Sequence, residues 1–327
     1  MKTIVFSVFF LSICLLVFFL FKSLKVKEEP QATVYSESEI QQAKKNIIEK
    51  KISSNNELSK QIDLENDKNT FTKDRIRYLF NKVYVNGKFN QKLLIDFYEI
   101  SDRALLFEDI ELRKETLRLL LFISLMREKD QSIPVYSNES RNMVLVSLLK
   151  SEYELIRMTA FDLAAWSSSS DPRVLANLKD SFLHPQSGDR LEHLHYTRTL
   201  GNLMRVKGYD SLKNIFIEQL SAYGTYSGQV AKLVEIANQL SLLDQPPQQI
   251  IPYILGMLEG QYFGDPMLLD AVSNYSDKMV PYLPRLHQLE LEVNNRILHG
   301  RDNKGIGSST FSRARYRDVL DKLETFQ

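Results

Sequence analysis

From Phe71 to about residue 299, apolar residues return at i, i+3, i+4 and i+7 in long segments, separated by short breaks that carry Gly, Pro, Asp or Ser. This spacing lays one apolar stripe along one face of an α-helix. Almost nothing in the stretch alternates with the period of two that a half-buried strand needs. Clear examples are ELRKETLRLLLFISLMREK (111–129), NMVLVSLLKS (142–151), ELIRMTAFDLAAW (154–166), LEHLHYTRTLGNLMRV (191–206), SLKNIFIEQLS (211–221) and QVAKLVEIANQLSLL (229–243). Asp171-Pro172 and Asp265-Pro266 each set an N-cap before a proline at the first helical position. Every second segment starts near Glu111, Glu154, Arg190, Gly228 and Pro266, at intervals of 43, 36, 38 and 38 residues. Helix pairs recurring at about 35 to 47 residues mark a solenoid, because a lone pair would leave its apolar face in water and neighbouring pairs must stack. The expected fold is all-α.

Within that frame, Ile156-Arg157 followed by Ala160 and Leu163 forms a branched apolar residue, a basic residue, then alanine and leucine at helical spacing. Leu112-Arg113 with Thr116, Leu119 and Leu120 is a looser copy. Over roughly residues 105–292 the chain resembles the HEAT and armadillo-like repeat families. It departs from them where the family's aspartate, some six residues before the basic position, falls on Ser151 and Phe107, and where the third unit has Glu192 or His193 near the basic position. The resemblance implies an α-solenoid presenting an extended surface to a partner protein, without catalysis. Some HEAT-like proteins are enzymes, and Asp162, Trp166 and His193 are the residues an alternative catalytic pocket would use. Di-iron enzymes of this class need His-Glu dipeptides, whereas His184, His193, His195, His287 and His299 are followed by Pro, Leu, Tyr, Gln and Gly.

Charge narrows the partners. Lys plus Arg number 42 against 41 Asp plus Glu, so no overall field attracts nucleic acid. The one cysteine, Cys14, lies in the apolar N-terminal run, so the rest of the chain can build neither a disulfide of its own nor a thiolate zinc site. His193 and His195 stand two apart, about 200° around a helix, and cannot share a metal on one face. No cofactor is expected.

Residues 3–21, TIVFSVFFLSICLLVFFLF, hold no charge between Lys2 and Lys22. At about 1.5 Å per residue they match a bilayer core of about 30 Å. FKSLKVKEEP comes next in place of a small-residue cleavage site, so residues 1–27 are expected to be an uncleaved signal anchor with its flanks. Lysine counting, with Lys22, Lys25 and Lys27 beyond the run against Lys2 before it, favours a cytoplasmic domain, whereas the two-residue tail favours export. The expectation is a single-pass protein of the bacterial inner membrane with the chain beyond the run exported. Residues 28–70 read as a polar stalk or linker, 71–299 as the helical-repeat domain, and 300–327 as a basic glycine-containing loop with a terminal helix. Between Arg296 and Arg317 six basic residues face the single acid Asp302. Arg313, Arg315, Arg317 and Tyr316, together with Trp166, are therefore the expected partner-facing residues, suited to an acidic protein face or anionic lipid. The glycines of GRDNKGIGSS (300–309) lack the lysine of a phosphate loop and are read as a hinge.

Overall fold

Asx caps start five of the described helices. Asn90, Asp109, Asn138, Asp171 and Asp265 each accept a hydrogen bond from a backbone N–H in the first turn, and Pro172 and Pro266 come directly after two of them. The computed structural model describes residues 34–49, 72–186, 190–223, 230–259, 265–298 and 310–326, which, Val34 aside, belong to one unit, Tyr35–Gln327. In chain order its helices are α1 (Glu37–Glu49), α2 (Lys73–Val83), α3 (Gln91–Ala104), α4 (Ile110–Lys129), α5 (Glu139–Leu148), α6 (Glu154–Ser168), α7 (Pro172–Leu183), α8 (Arg190–Lys207), α9 (Asp210–Tyr223), α10 (Val230–Ser241), α11 (Ile251–Glu259), α12 (Pro266–Tyr275), α13 (Leu283–Leu298) and α14 (Thr310–Glu324). The described residues are all-α apart from a hairpin of β1 (Tyr84–Val85) and β2 (Lys88–Phe89) between α2 and α3.

Each even-numbered helix touches the next, α2 on α4, α4 on α6, and so on through α8, α10 and α12 to α14. The odd-numbered helices pack beside this row, α3 on α2 and α4, α7 on α6 and α8, α9 on α8 and α10, α11 on α10 and α12, and α13 on α14. The apolar stripes meet between them. Ile156, Ala160 and Leu163 of α6 are fully buried, as are Leu112, Leu117 and Leu120 of α4. Gly201 in α8 permits close approach of α10, since a Cβ there would run into the Gln239 side chain. The segment 167–170, which reads as a serine loop, instead completes α6 through Ser168, and the Ser167 hydroxyl donates to the Leu163 carbonyl at 2.6 Å.

Two local features depart from the sequence reading. Asn86 and Gly87 take positive φ values of 51° and 78°, the turn of a two-residue hairpin. Tyr84 and Phe89 pair across it and join Phe80, Phe97 and Phe122 in an aromatic cluster. The second is α1. It falls inside the stretch expected to be a polar stalk, yet it packs on α3 and α5 and buries Ile40, Ala43 and Ile47. Tyr35, just before α1, is 3% exposed.

Among the described residues no helix is long and apolar enough to cross a membrane. The expected anchor at 3–21 and the glycine-containing loop at 300–309 lie outside the described residues.

Candidate functional site

Forked ion pairs tie α2 to α4 and α6 to α8. Arg77 of α2 reaches Glu115 of α4, Nε to Oε1 at 2.5 Å and Nη2 to Oε2 at 3.0 Å. Arg157 of α6 makes the same fork with Glu192 of α8, at 2.8 and 3.1 Å, and Arg198 of α8 lies 3.1 Å from Glu235 of α10. A planar guanidinium and a planar carboxylate form two parallel bonds, which fixes the register of one helix on the next.

The Arg157–Glu192 pair is the most buried of these, its side chains 4% and 0% exposed. Ions removed from water this completely are tolerated only when their remaining donors and acceptors are matched. They are matched here: Arg157 Nη1 donates to the carbonyls of Ser151 and Glu152 at 2.7 and 3.0 Å, and the Tyr196 hydroxyl donates to Glu192 Oε1 at 2.6 Å. The Tyr196 ring stacks on Phe161 with centroids 4.0 Å apart, and burial, then Glu192, hold its phenol well above the usual range. Two positions read as departures from the HEAT-like pattern, Ser151 and Glu192, thus meet at one guanidinium. Ser151, standing where an aspartate was expected, offers its main-chain carbonyl, and Glu192, near the basic position of the third unit, supplies the carboxylate.

Asp162 is half-buried, not solvated. Its Oδ1 accepts from the Thr199 hydroxyl at 2.5 Å and lies 3.0 Å from His195 Nε2. Burial acts to lower the His195 pKa, but the hydrogen bond and charge of Asp162 and a bond to the Met158 carbonyl outweigh it and raise the pKa above its ordinary value. His195 is therefore a clasp between α6 and α8. His193 lies two residues earlier, about 200° around α8 from His195. Trp166 is held from another direction: Lys207 Nζ donates to its carbonyl at 3.0 Å, sits 5.7 Å from its ring centroid and lies 3.5 Å from Glu128 of α4. Among the described residues no group of three His, Cys, Asp or Glu side chains is placed to hold a metal ion.

The basic C-terminal residues lie on α14, which packs on α12 and α13. Arg315 pairs with Asp270 of α12 at 2.5 Å, and Arg317 pairs with Glu290 of α13 at 3.1 Å and with Asp321 at 3.0 Å. Tyr316, expected to face a partner, is 2% exposed and donates its hydroxyl to the Leu286 carbonyl at 2.9 Å. That expectation is corrected, since the ring sits in the core. Arg313 is half-buried and, among the described residues, its Nε is without a hydrogen-bond partner. Asp270 and Glu290 come from α12 and α13, too far back in the chain for a local charge count to include them, while Asp321 lies four residues beyond Arg317.

No family model matches the chain, and no curated protein does.

Proposed function

We propose that this chain is a membrane-anchored α-solenoid of HEAT-like helix pairs that binds a partner protein and does not turn over a substrate. The observation that carries the reading is the unbroken succession of even-numbered helices from α2 to α14, each touching the next. Such rows offer a long, quasi-one-dimensional surface suited to protein recognition. The row leaves Leu155, Leu191 and Val206 between 52% and 63% exposed, apolar side chains that a partner could cover. The groups an enzyme would use support the same reading, because Asp162 accepts from Thr199 and lies against His195, contacts that join α6 to α8. The apolar run 3–21 supplies the anchor, with the repeats on the exported side of a bacterial inner membrane.

Photo-crosslinking in intact membranes tests the proposal. A photoreactive amino acid at Leu155, Leu191 or Val206 is expected to capture one and the same protein, while the exposed Ile95 of α3 does not. A folded chain that captures no common protein from the three positions would defeat the scaffold reading.

A further inference from the structure

Arg113 and Arg157 occupy the same place in successive members of the even-numbered row, each being the fourth residue of its helix, α4 and α6. Arg157 meets Glu192, the third residue of α8. The third residue of α6, where Arg113 would meet the equivalent carboxylate, is Ile156, which is apolar and fully buried. Among the described residues Arg113 pairs with no carboxylate, and its Nε, with less than 1 Å² of accessible surface, has no hydrogen-bond partner.

Arg113 instead borders a cleft of about 440 Å³ between α1, the residues just beyond α3, and the end of α5. That volume suits a small molecule. Lys44 of α1 lines the same cleft and, among the described residues, also pairs with no carboxylate. Burial first, and the charge of Arg113 second, push its ammonium pKa down. Lys45 at the cleft is exposed and lies 3.8 Å from Glu49, the carboxylate that lines the same cleft, so among the described residues the inner pair is the one without a paired carboxylate. Two cations facing one cavity repel each other, and an anion between them converts that cost into attraction. A dianion balances both charges, and the guanidinium fork matches phosphate oxygens. The Ser151 hydroxyl, at the cleft wall, accepts from Tyr153 N at 3.3 Å and keeps its own hydrogen to donate. Ile48 and Leu106 give the cleft an apolar border.

The geometry points to a binding site for a phosphate monoester, with Arg113 and Lys44 holding the phosphate oxygens, Ser151 donating to them, and the body of the ligand lying along Ile48 and Leu106. The site is independent of the scaffold reading, since it needs only α1 seated on α3 and α5.

The test is calorimetric titration of the full chain in detergent with phenyl phosphate, beside co-sedimentation with phosphatidylcholine vesicles carrying phosphatidic acid. Saturable binding of phenyl phosphate is expected, weakened about tenfold or more by Arg113→Met or Lys44→Met and unchanged by Lys129→Met at the far end of α4. Vesicle binding with the same residue dependence, without phenyl phosphate binding, also supports the site and assigns the phosphate to a lipid headgroup. Because Arg113 pairs with no carboxylate among the described residues, ligand-free Arg113→Met should melt at or above the parent temperature. The proposal is overturned if neither probe binds, if the variants bind like the parent, if benzoate binds as tightly as phenyl phosphate, or if Arg113→Met melts well below the parent.

Discussion

Tyr35 donates its hydroxyl hydrogen to Asp171 Oδ2 at 2.8 Å, across 136 positions of sequence. Asp171 is also the N-cap of α7, where it accepts from Arg173 N, and Asn142 of α5 donates to the same Oδ2 at 2.9 Å. Arg173 in turn lies 3.9 Å over the Tyr35 ring and bonds Glu39 of α1 at 2.7 Å. One cap thus ties α1 to α5 and α7.

The seat should loosen in acid. Bonds from the Ser36 side chain, then Arg173, bring the Glu39 pKa from an ordinary 4.5 down to about 2. At Asp171, burial works the other way but is outweighed by bonds from Asn142, Tyr35 and backbone N–H groups, so its pKa is lowered too. A carboxylate whose folded pKa is depressed contributes stability that is complete above the unfolded value and is lost as pH falls toward the folded one. For Glu39 that window runs from about 4.5 to about 2. Amide exchange in α1, corrected for intrinsic rates, should accelerate across it before exchange in α6 does, and Glu39→Gln should remove much of the pH dependence. Equal protection of α1 and α6 down to pH 2 would contradict this seating.

Removing one member of the Arg157–Glu192 pair should cost far more than removing both. Glu192→Ala leaves a guanidinium buried without its carboxylate, at an expected cost of about 3–5 kcal/mol in urea unfolding. Arg157→Met combined with Glu192→Leu should recover most of that loss. A single variant as stable as the parent would mean that water reaches the pair.

Lys232 of α10 is 3% exposed, with Nζ 3.2 Å from Gln219 Oε1 and 4.4 Å from the Phe182 ring centroid. Burial lowers its pKa from 10.5 to about 8. Between those values the unfolded chain binds the extra proton, so this group makes stability rise with pH across the window. Lys232→Met should therefore stabilise the chain at pH 7 by about 1–3 kcal/mol, with an advantage that shrinks toward pH 10. The comparison is made by denaturant titration of both proteins over that range. An advantage that does not change with pH would show that packing, not charge, is responsible.

The full chain should resist alkaline extraction from membranes, because the uncharged run 3–21 favours lipid. A chain begun at Val34 should be released and fold. One begun at Phe71 lacks α1, bares the surface it covers on α3 and α5, and should melt lower. Extraction of the intact chain at high pH would rule out the anchor, and equal melting of the two shorter chains would make α1 dispensable.

Much of the helical organisation was legible in the sequence because its causes are local. Asp171-Pro172 and Asp265-Pro266 start α7 and α12 as their capping chemistry requires, and the intervals that begin near Glu111 track the even-numbered row. Ile156, Ala160 and Leu163 face the core because a helix turns 100° per residue. The hairpin was missed: Asn86-Gly87 is a turn signal, but two residues per strand are too few to show a period of two.

The sequence by itself determined where helices begin, which face of each is apolar, and that segments of this length must pair. Only the tertiary structure decided what those faces and charges meet. Ile40, Ala43 and Ile47 are too few to separate a docked helix from a solvated stalk until α5 is seen beneath them. Arg315 and Arg317 look like an unbalanced basic patch until α12 and α13 bring Asp270 and Glu290 alongside. Arg113 and Arg157 occupy matching positions in matching helices, yet one has its carboxylate and the other faces a cleft. The difference lies in Glu192, 35 positions beyond Arg157, and side chains that far apart in sequence meet only once the helices between them have packed.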